Sequence, residues 1–162
     1  MMHLALLSNA ETPNGKAAIG QLLSRCNLQS SAGAYIGSEP APQEIFFTQT
    51  KNIYASIGYQ LDLYLDFEDG FCIDVFHQAL SKPFIHLSGG NTFRFLNAMN
   101  QRNVANALIN YTAQGGLLIG VSAGAMLLTP SIITANLCGD PNDVGIENLQ
   151  ALNLTSFLFA PH

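Results

Sequence analysis

The sequence predicts a three-layer α/β fold in which a mostly parallel β-sheet is flanked by helices. Short apolar segments alternate with segments of helical periodicity along nearly the whole chain, which is the pattern of repeated strand–helix units. Of the 162 residues, 48% are hydrophobic and only 10% are charged, as expected for a sheet covered on both faces. Because this length suits one sizeable core, we expect a single domain over residues 1–162.

The first half of the chain predicts three strand–helix units. Apolar or alternating segments indicate strands, and apolar residues spaced by three and four positions indicate helices. The strands are expected at residues 3–8, 34–36 and 61–67, and the helices at 16–25, 43–57 and 71–80. The third strand alternates apolar and polar residues, which is typical of a strand near the edge of a sheet.

The second half continues this pattern to a final apolar segment. Strands are expected at 83–87 and 117–120, helices at 93–99 and 105–113, and a further helix after residue 122. A polar loop follows from Asn136 to Glu147. The apolar residues at 154–160 then predict a last strand, with His162 just beyond its end.

The segment around Ser122 carries the strongest functional signal. Three apolar residues precede Gly120-Val121-Ser122-Ala123-Gly124, and a second apolar run of helical length follows. A G-x-S-x-G motif between a strand and a helix is typical of a nucleophile elbow, whose tight turn leaves no room for side chains at the flanking glycines. We therefore expect the Ser122 hydroxyl to project above the sheet and the Ala123 amide to face an oxyanion.

A second glycine turn is predicted at the same edge of the sheet. Gly89 and Gly90 follow the fourth predicted strand, and Asn91 or Thr92 can cap the next helix. Open α/β sheets bind their ligands at the carboxyl ends of the strands. The two glycines therefore form either an ordinary tight turn or an oxyanion hole and substrate cradle beside Ser122.

A serine nucleophile needs a base, and the sequence contains four histidines. His3 and His86 lie within apolar strands, which favours hydrogen-bonded core histidines. His77 lies on a predicted helix, where a solvated surface position is expected. His162 follows the last predicted strand, so it is either a base at the carboxyl edge or part of a tail.

Four motifs, in this order, resemble those of the peptidase E family of serine peptidases. They occupy residues 87–92 (LSGGNT), 120–125 (GVSAGA), 140–145 (DPNDVG) and 160–162 (APH). This family shares a class I glutamine amidotransferase-like fold with cyanophycinase. The resemblance implies an aspartyl dipeptidase-like hydrolase of small peptides. Ser122 would form the acyl-enzyme, His162 would be the general base, and the Gly90 and Ala123 amides would form the oxyanion hole.

The resemblance leaves the acid of the triad open. In the aspartyl dipeptidase branch this acid closely follows a Thr-Asn pair after the elbow, but here Asn136 is followed by Leu137. Asp140 is the candidate replacement, with Asp143 as the alternate. Asp-Pro-Asn-Asp is also an ordinary turn sequence, so a purely structural role is the other interpretation.

The family's activities on aspartate-containing substrates imply a group that binds a substrate carboxylate. Arg94 is the candidate cation, and Asn91, three residues earlier, is a second candidate for substrate binding. An exposed helix arginine is the alternative interpretation of Arg94.

Composition and spacing argue against several other functions. A net charge of −5 without a basic cluster disfavours nucleic-acid and anionic-membrane binding. No group of His, Cys, Asp and Glu has ligand spacing, so neither a metal nor another cofactor is expected. Gly15-Lys16 resembles the end of a P-loop, but Ala10 and Ala17 replace the required glycine and hydroxyl residue. Glutamine amidotransfer is disfavoured because enzymes of that class carry a cysteine at the elbow, where this chain has Ser122.

The sequence also indicates a cellular setting. Its three cysteines are far apart in sequence, and neither a signal peptide nor a membrane-spanning segment is apparent, which favours a reducing cytoplasm. The oligomeric state stays open, with a homodimer as one option.

A second hypothesis competes with catalysis. Relatives continue past the histidine that matches His162, so we expect the C-terminal part of the fold to be truncated. This expectation and the missing acid after Asn136 motivate the alternative of a catalytically impaired relative that acts as a binding or interaction module.

Overall fold

The computed structural model describes residues 2–40 and 44–161. Within these residues, five strands form one sheet, and the four neighbouring pairs are all parallel. The strands are β1 (His3–Leu7), β2 (Ala32–Gly37), β3 (Gln60–Asp66), β4 (Phe84–Leu87) and β5 (Leu117–Val121). Their order across the sheet is β1-β5-β4-β2-β3. Because the strands are parallel, their carboxyl ends meet at one edge.

The helices connect consecutive strands and continue after β5. They are α1 (Pro13–Arg25), α2 (Ile45–Ser56), α3 (Ile73–Leu80), α4 (Thr92–Gln101), α5 (Ala105–Ala113) and α6 (Ala123–Leu127), followed by a 3-10 helix at Ile133–Cys138. No helix in the described ranges is long and apolar enough to cross a membrane.

Two hydrophobic cores lie on opposite faces of the sheet. Alternate residues of β2 divide between them: Ala34 and Ile36 pack with residues of α3, α4, α5 and α6, whereas Tyr35 packs with residues of α1 and α2. This alternation follows from the two-residue period of a strand. The α/β architecture with helices on both sides of a parallel sheet is confirmed, and β3 lies at an edge as its sequence predicts.

Several element boundaries differ from those predicted. Helix α1 begins at Pro13 rather than Lys16, because the Thr12 side chain caps it by accepting the Gly15 N–H at 3.0 Å. The P-loop-like Gly15-Lys16 pair therefore lies inside a helix. The predicted start of α2 at Gln43 lies outside the described residues, in which α2 begins at Ile45.

The predicted last strand at 154–160 is wrong. This segment has no strand structure and lies outside the sheet. Its start is attached to the end of α6, since the N–H groups of Leu152 and Leu154 donate to the carbonyls of Leu127 and Leu128 at 3.0 and 2.9 Å. Asn153, immediately before the predicted strand, has a positive φ of 53°, so the chain turns at the entry to this segment. Of the apolar residues in this segment, only Leu154 and Phe159 pack against the core, whereas Phe157 and Leu158 are exposed.

Candidate active site

Ser122 occupies a strained turn between β5 and α6, as expected for a nucleophile elbow. Its φ of 51° and ψ of −109° lie outside the usual regions for a residue with a side chain. Such a conformation costs about 1–3 kcal/mol and persists only where surrounding structure holds it. Here the Ser122 N–H donates to the Leu7 carbonyl at 2.7 Å, and the Ser122 carbonyl accepts the Ala125 N–H at 3.0 Å.

The two glycines of the elbow are required by close backbone contacts, as the sequence predicts. A Cβ at Gly120 would lie 2.5 Å from the Gly124 carbonyl oxygen, and a Cβ at Gly124 would collide with the backbone of Leu87 on β4. The elbow is therefore packed directly against the neighbouring strand.

The glycine turn formed by Gly89 and Gly90 lies beside the elbow. A Cβ at Gly89 would be 3.5 Å from the Ser122 Cβ. Gly90 has a φ of 122°, and a side chain there would collide with the Ser38 hydroxyl. The prediction that Ser122 and the glycine turn share one edge of the sheet is confirmed.

Two buried serines hold the Gly89 carbonyl. It accepts hydrogen bonds from Ser38 Oγ at 2.7 Å and from Ser88 Oγ at 2.8 Å, and Ser88 Oγ accepts the Ser38 N–H at 2.9 Å. In a trans peptide the N–H points opposite to the carbonyl. The Gly90 N–H is therefore directed away from these serines, and among the described residues neither it nor the Ala123 N–H has a hydrogen-bond acceptor.

Asn91 and Asp140 join the start of α4 to the loop after the 3-10 helix. Asn91 caps α4 by accepting the Arg94 N–H at 2.9 Å, and its Nδ2 donates to the Pro141 carbonyl at 2.9 Å. Asp140 Oδ2 accepts the Thr92 N–H at 2.9 Å and the Thr92 hydroxyl at 2.5 Å. A carboxylate is stabilised at a helix N-terminus by the exposed amides and the helix dipole.

Arg94 is bound by two carboxylates. Its Nε and Nη2 donate to the two oxygens of Glu68 at 2.9 and 2.6 Å, and its Nη1 donates to Glu39 at 2.6 Å. The Glu68 hydrogen bonds are the main cause that raises the pKa of Arg94. A substrate carboxylate would therefore compete with Glu39 or Glu68 for this guanidinium.

His162 and its environment lie outside the described residues. The chain up to Pro161 lies against the 3-10 helix, since Cys138 Sγ donates to the Pro161 carbonyl at 3.3 Å. Partial burial first, and the nearby Asp140 carboxylate second, raise the pKa of the Cys138 thiol. The segment that leads to His162 therefore approaches the region of Asp140, whereas Asp143 is exposed.

His86 is a core histidine, as predicted. It is 2% exposed, and its Nδ1 lies 3.0 Å from the Tyr54 hydroxyl. Burial lowers the pKa of His86 to about 3, so the ring is neutral at physiological pH. His77 is exposed on α3, also as predicted.

A cavity of about 380 Å³ opens at the same edge of the sheet. Gly89, Gly90 and Val121 line one side of it, next to the elbow and the glycine turn. The remaining lining comes from the residues after β1, from β2 and the residues that follow it, from β3, from α2, and from His86 on β4 and Ser88 just after it.

Sequence reasoning missed the residues that support the site. Ser38, Glu39 and Glu68 each follow the carboxyl end of a strand. This position is the only feature of the sequence that could have indicated a role at the site. Nothing in the local sequence shows which distant group each one meets, since Ser38 and Gly89 are 51 positions apart.

Comparisons with known proteins identify peptidases as relatives of this chain. The model of peptidase family S51 matches residues 4–162. An uncharacterized peptidase of Listeria innocua is 35% identical over 141 residues, covering 84% of this chain and 66% of its own length. Peptidase E of Escherichia coli O6:K15:H31 is 30% identical over 166 residues, covering 99% of this chain and 69% of its own length.

A solved structure extends the comparison to the fold. The crystal structure of a candidate peptidase E from Listeria monocytogenes EGD-e has a TM-score of 0.77 and 27% identity, and the match covers 98% of this chain and 78% of that one. This chain spans about two thirds of the length of the curated relatives it matches. Together the comparisons indicate a serine peptidase, which is a hydrolase.

Proposed function

Because the chain belongs to peptidase family S51, whose model spans residues 4–162, we propose that it cleaves small peptides through an acyl-enzyme on Ser122. The observation that carries this proposal is the strained backbone of Ser122 at the carboxyl edge of the sheet, directly beside the glycine turn. A serine in ordinary surface structure needs no such conformation, and backbone strain of this kind concentrates at functional sites.

In the proposed reaction, Ser122 Oγ attacks the carbonyl carbon of the scissile peptide bond while its proton passes to His162. The tetrahedral intermediate then collapses, the C–N bond breaks, and His162 returns the proton to the leaving amine. Water, deprotonated by the same histidine, attacks the ester carbonyl and releases the acid product and Ser122. The role of His162 comes from the family resemblance.

The Gly90 and Ala123 amides would stabilise the oxyanion. Neither amide has an acceptor within residues 2–40 and 44–161, and the hydrogen bonds to the Gly89 carbonyl direct the Gly90 N–H away from Ser38 and Ser88. Fixed donors of this kind contribute about 3–4 kcal/mol each to the stabilisation of the transition state in comparable hydrolases.

Asp140 is the proposed orienting acid. Thr92 holds its Oδ2, whereas its Oδ1 has no donor in the described part of the chain and is available to an imidazole N–H. Asp143, the alternate acid, lies exposed in the loop.

The substrate proposal is limited to small peptides. Asn91 and Arg94 lie at the start of α4, next to the glycine turn. A preference for aspartate through Arg94 would require a substrate carboxylate to displace Glu39 or Glu68, so Arg94 does not offer a free cation for this purpose.

Labelling by a fluorophosphonate probe tests the nucleophile. We expect covalent labelling of the intact chain at one serine, complete loss of labelling in Ser122→Ala, and full labelling in Ser24→Ala, which changes an exposed serine on α1. Mass spectrometry of the labelled peptide identifies the serine, and circular dichroism verifies that both variants are folded.

Two results would contradict the proposal. Labelling that persists in folded Ser122→Ala would place the nucleophile elsewhere. No labelling of the folded wild-type chain would favour the alternative, a catalytically impaired relative that acts as a binding module.

A further inference from the structure

His86 brings a polar atom to the inner end of the cavity beside the elbow. The residue is 2% exposed and lines the cavity, and its ring stacks on Tyr35 with centroids 5.4 Å apart and an angle of 7° between the planes. Nδ1 lies 3.0 Å from the Tyr54 hydroxyl, whereas Nε2 has no hydrogen-bond partner within residues 2–40 and 44–161. Every fully buried side-chain nitrogen and oxygen of these residues has a partner. Nε2 is therefore open to the cavity.

Tyr54 decides which nitrogen of His86 carries the proton. The Tyr54 side chain is fully buried, and among the described residues its hydroxyl has no hydrogen-bond partner besides His86 Nδ1. If Nδ1 carried the proton, it would donate to the hydroxyl oxygen and leave a buried O–H without an acceptor, which is unfavourable. The hydroxyl therefore donates to Nδ1, and Nε2 carries the proton. The inner end of the cavity thus presents an N–H donor that can bind an acceptor of a ligand.

The charges around the cavity disfavour a carboxylate as this acceptor. Glu11 and Glu39 line the cavity, and no Lys or Arg belongs to the lining that the structure describes. Arg94, which pairs with Glu39, also pairs with Glu68, so this region stays net negative. Burial keeps the His86 ring neutral, because it lowers its pKa to about 3. A carboxylate would therefore lose hydration without gaining a cation, and an uncharged acceptor fits better.

The depth of His86 favours a long side chain. In the register of the sheet His86 lies opposite Ile119, three positions before Ser122, which is roughly 10 Å along the strand. Hydroxyl and carboxamide groups are the strong uncharged acceptors among side chains. Serine, threonine and asparagine carry theirs closer to the backbone than glutamine does. A tyrosine ring finds no free face on Tyr35, which Tyr64 and His86 already cover.

We propose that the His86 Nε2–H determines specificity by binding the carboxamide oxygen of a glutamine side chain in the substrate residue whose carbonyl Ser122 attacks. The inference rests on the proposed function. Gly89, Gly90 and Val121 line the cavity next to the elbow, so a side chain in it belongs to the residue at the cleaved bond. A neutral donor beside acidic groups sets a preference different from the aspartate preference that the family resemblance implies.

Binding of amino-acid amides to the Ser122→Ala chain tests this donor without requiring catalysis. Calorimetry would compare the amides of glutamine, methionine and glutamate, whose side chains have nearly the same length and differ in the end group. We expect glutamine amide to bind about fivefold more tightly than methionine amide, because the carboxamide accepts a strong hydrogen bond. We expect it to bind at least about tenfold more tightly than glutamate amide, whose charge gains no cation.

A histidine substitution localises the preference. His86→Leu, in the Ser122→Ala background, replaces the donor by an apolar side chain of similar size and should abolish the preference for glutamine amide over methionine amide. His77→Leu is the matched control, because His77 is exposed on α3 and does not line the cavity. It should keep the full preference. Circular dichroism verifies that both variants are folded, and a purely structural role of His86 would leave the ratio of the two affinities unchanged.

Nitrogen-15 NMR of the histidine rings tests the tautomer in the chain that retains His86, so this measurement does not depend on the folding of a variant. We expect the proton on Nε2. We also expect glutamine amide, but not methionine amide, to shift the Nε2 resonance.

Four results would overturn the inference: a proton on Nδ1, no saturable binding of glutamine amide, equal affinities for glutamine and methionine amides, or an unchanged preference in folded His86→Leu. None of them depends on whether the wild-type chain reacts with a fluorophosphonate. Failure of the donor and failure of the proposed nucleophile are therefore distinguishable.

Discussion

The turn at Ser122 lies between buried strands, whereas the segment at 139–161, which carries the candidate acid, lies over α4, α6 and the 3-10 helix. The elbow is fixed by backbone contacts to two neighbouring strands. The Ser122 N–H donates to the carbonyl of Leu7 at the end of β1, and the Gly124 N–H donates to the carbonyl of Ser88 just after β4. The segment at 139–161 has no partner strand in the sheet. Backbone hydrogen bonds at residues 149–154 attach it to the end of α6 and the turn that follows, and Asp140 attaches it to Thr92. Its Phe157 and Leu158 side chains are 55% and 48% exposed.

This difference indicates two kinds of preorganisation. The nucleophile and the glycine turn are parts of the sheet edge, so any distortion there must also disturb packed strands. The acid-bearing segment is joined to the sheet edge through the N-terminus of α4. Substitutions in the two regions should therefore differ in cost, and the following predictions test that difference.

The largest effect is expected from adding a side chain to an elbow glycine. Gly124→Val should lower the free energy of unfolding by at least about 3 kcal/mol, because the new Cβ collides with the rigid backbone of Leu87. Gly139→Ala, in the other region, should cost only about 1 kcal/mol, since φ is 80° but no atom lies within 4 Å of the added Cβ.

Urea unfolding followed by circular dichroism measures both variants. Equal costs at the two glycines would show that the elbow has more freedom to relax than its contacts indicate. They would remove the main distinction between the two regions.

A smaller effect is expected from releasing the acid-bearing segment. Asp140→Ala removes the acceptor for both the Thr92 amide and the Thr92 hydroxyl. It should lower the free energy of unfolding by about 2 kcal/mol, the range for hydrogen bonds to a charged group at a helix N-terminus. Asp143→Ala is the control in the same loop and should change this free energy by less than about 0.5 kcal/mol. A negligible effect of Asp140→Ala would mean that the segment is held by its other contacts.

The smallest effect is expected from loosening the glycine turn without adding bulk. Ser38→Ala removes one of the two hydroxyl donors to the Gly89 carbonyl and leaves that of Ser88. If these bonds orient the Gly90 amide, the rate constant of fluorophosphonate labelling should fall about tenfold, or about 1.4 kcal/mol in activation free energy.

The labelling rate separates positioning from general stability. Ser24→Ala, on the exposed face of α1, should leave the rate unchanged. An unchanged rate in Ser38→Ala would show that the remaining contacts suffice to orient the peptide, and Ser38 would then have no role in positioning the oxyanion donor.

The elements of the sheet could be predicted from the sequence because their signals are local. Helix α5 has the predicted bounds, 105–113, and β3 has the predicted edge position. The elbow was predictable for the same reason, since a serine between two glycines, after a strand and before a helix, specifies its own turn. The prediction of a last strand is wrong because a short apolar run by itself specifies neither strand structure nor burial: Phe157 and Leu158 in this run are 55% and 48% exposed.

The partners of the polar groups could not be predicted from the sequence. From the sequence, Arg94 is a candidate for binding a substrate carboxylate. In the structure its guanidinium is already paired with two glutamates that follow the ends of β2 and β3. The sequence is compatible with Asp140 as either a turn residue or an acid. Its bond to Thr92, 48 positions away, places it at the start of α4.

By itself, the sequence determined the α/β architecture, the glycines at the two turns and Ser122 as the residue at the strained position. These features depend on side-chain periodicity and on space near the backbone, both of which are local. Only the tertiary structure decided that Ser38 and Ser88 hold the glycine turn, that Arg94 is paired with Glu39 and Glu68, and that a cavity adjoins the elbow. The physical reason is that hydrogen bonds and ion pairs act over a few ångströms, so their partners are set by which strand ends the fold brings together.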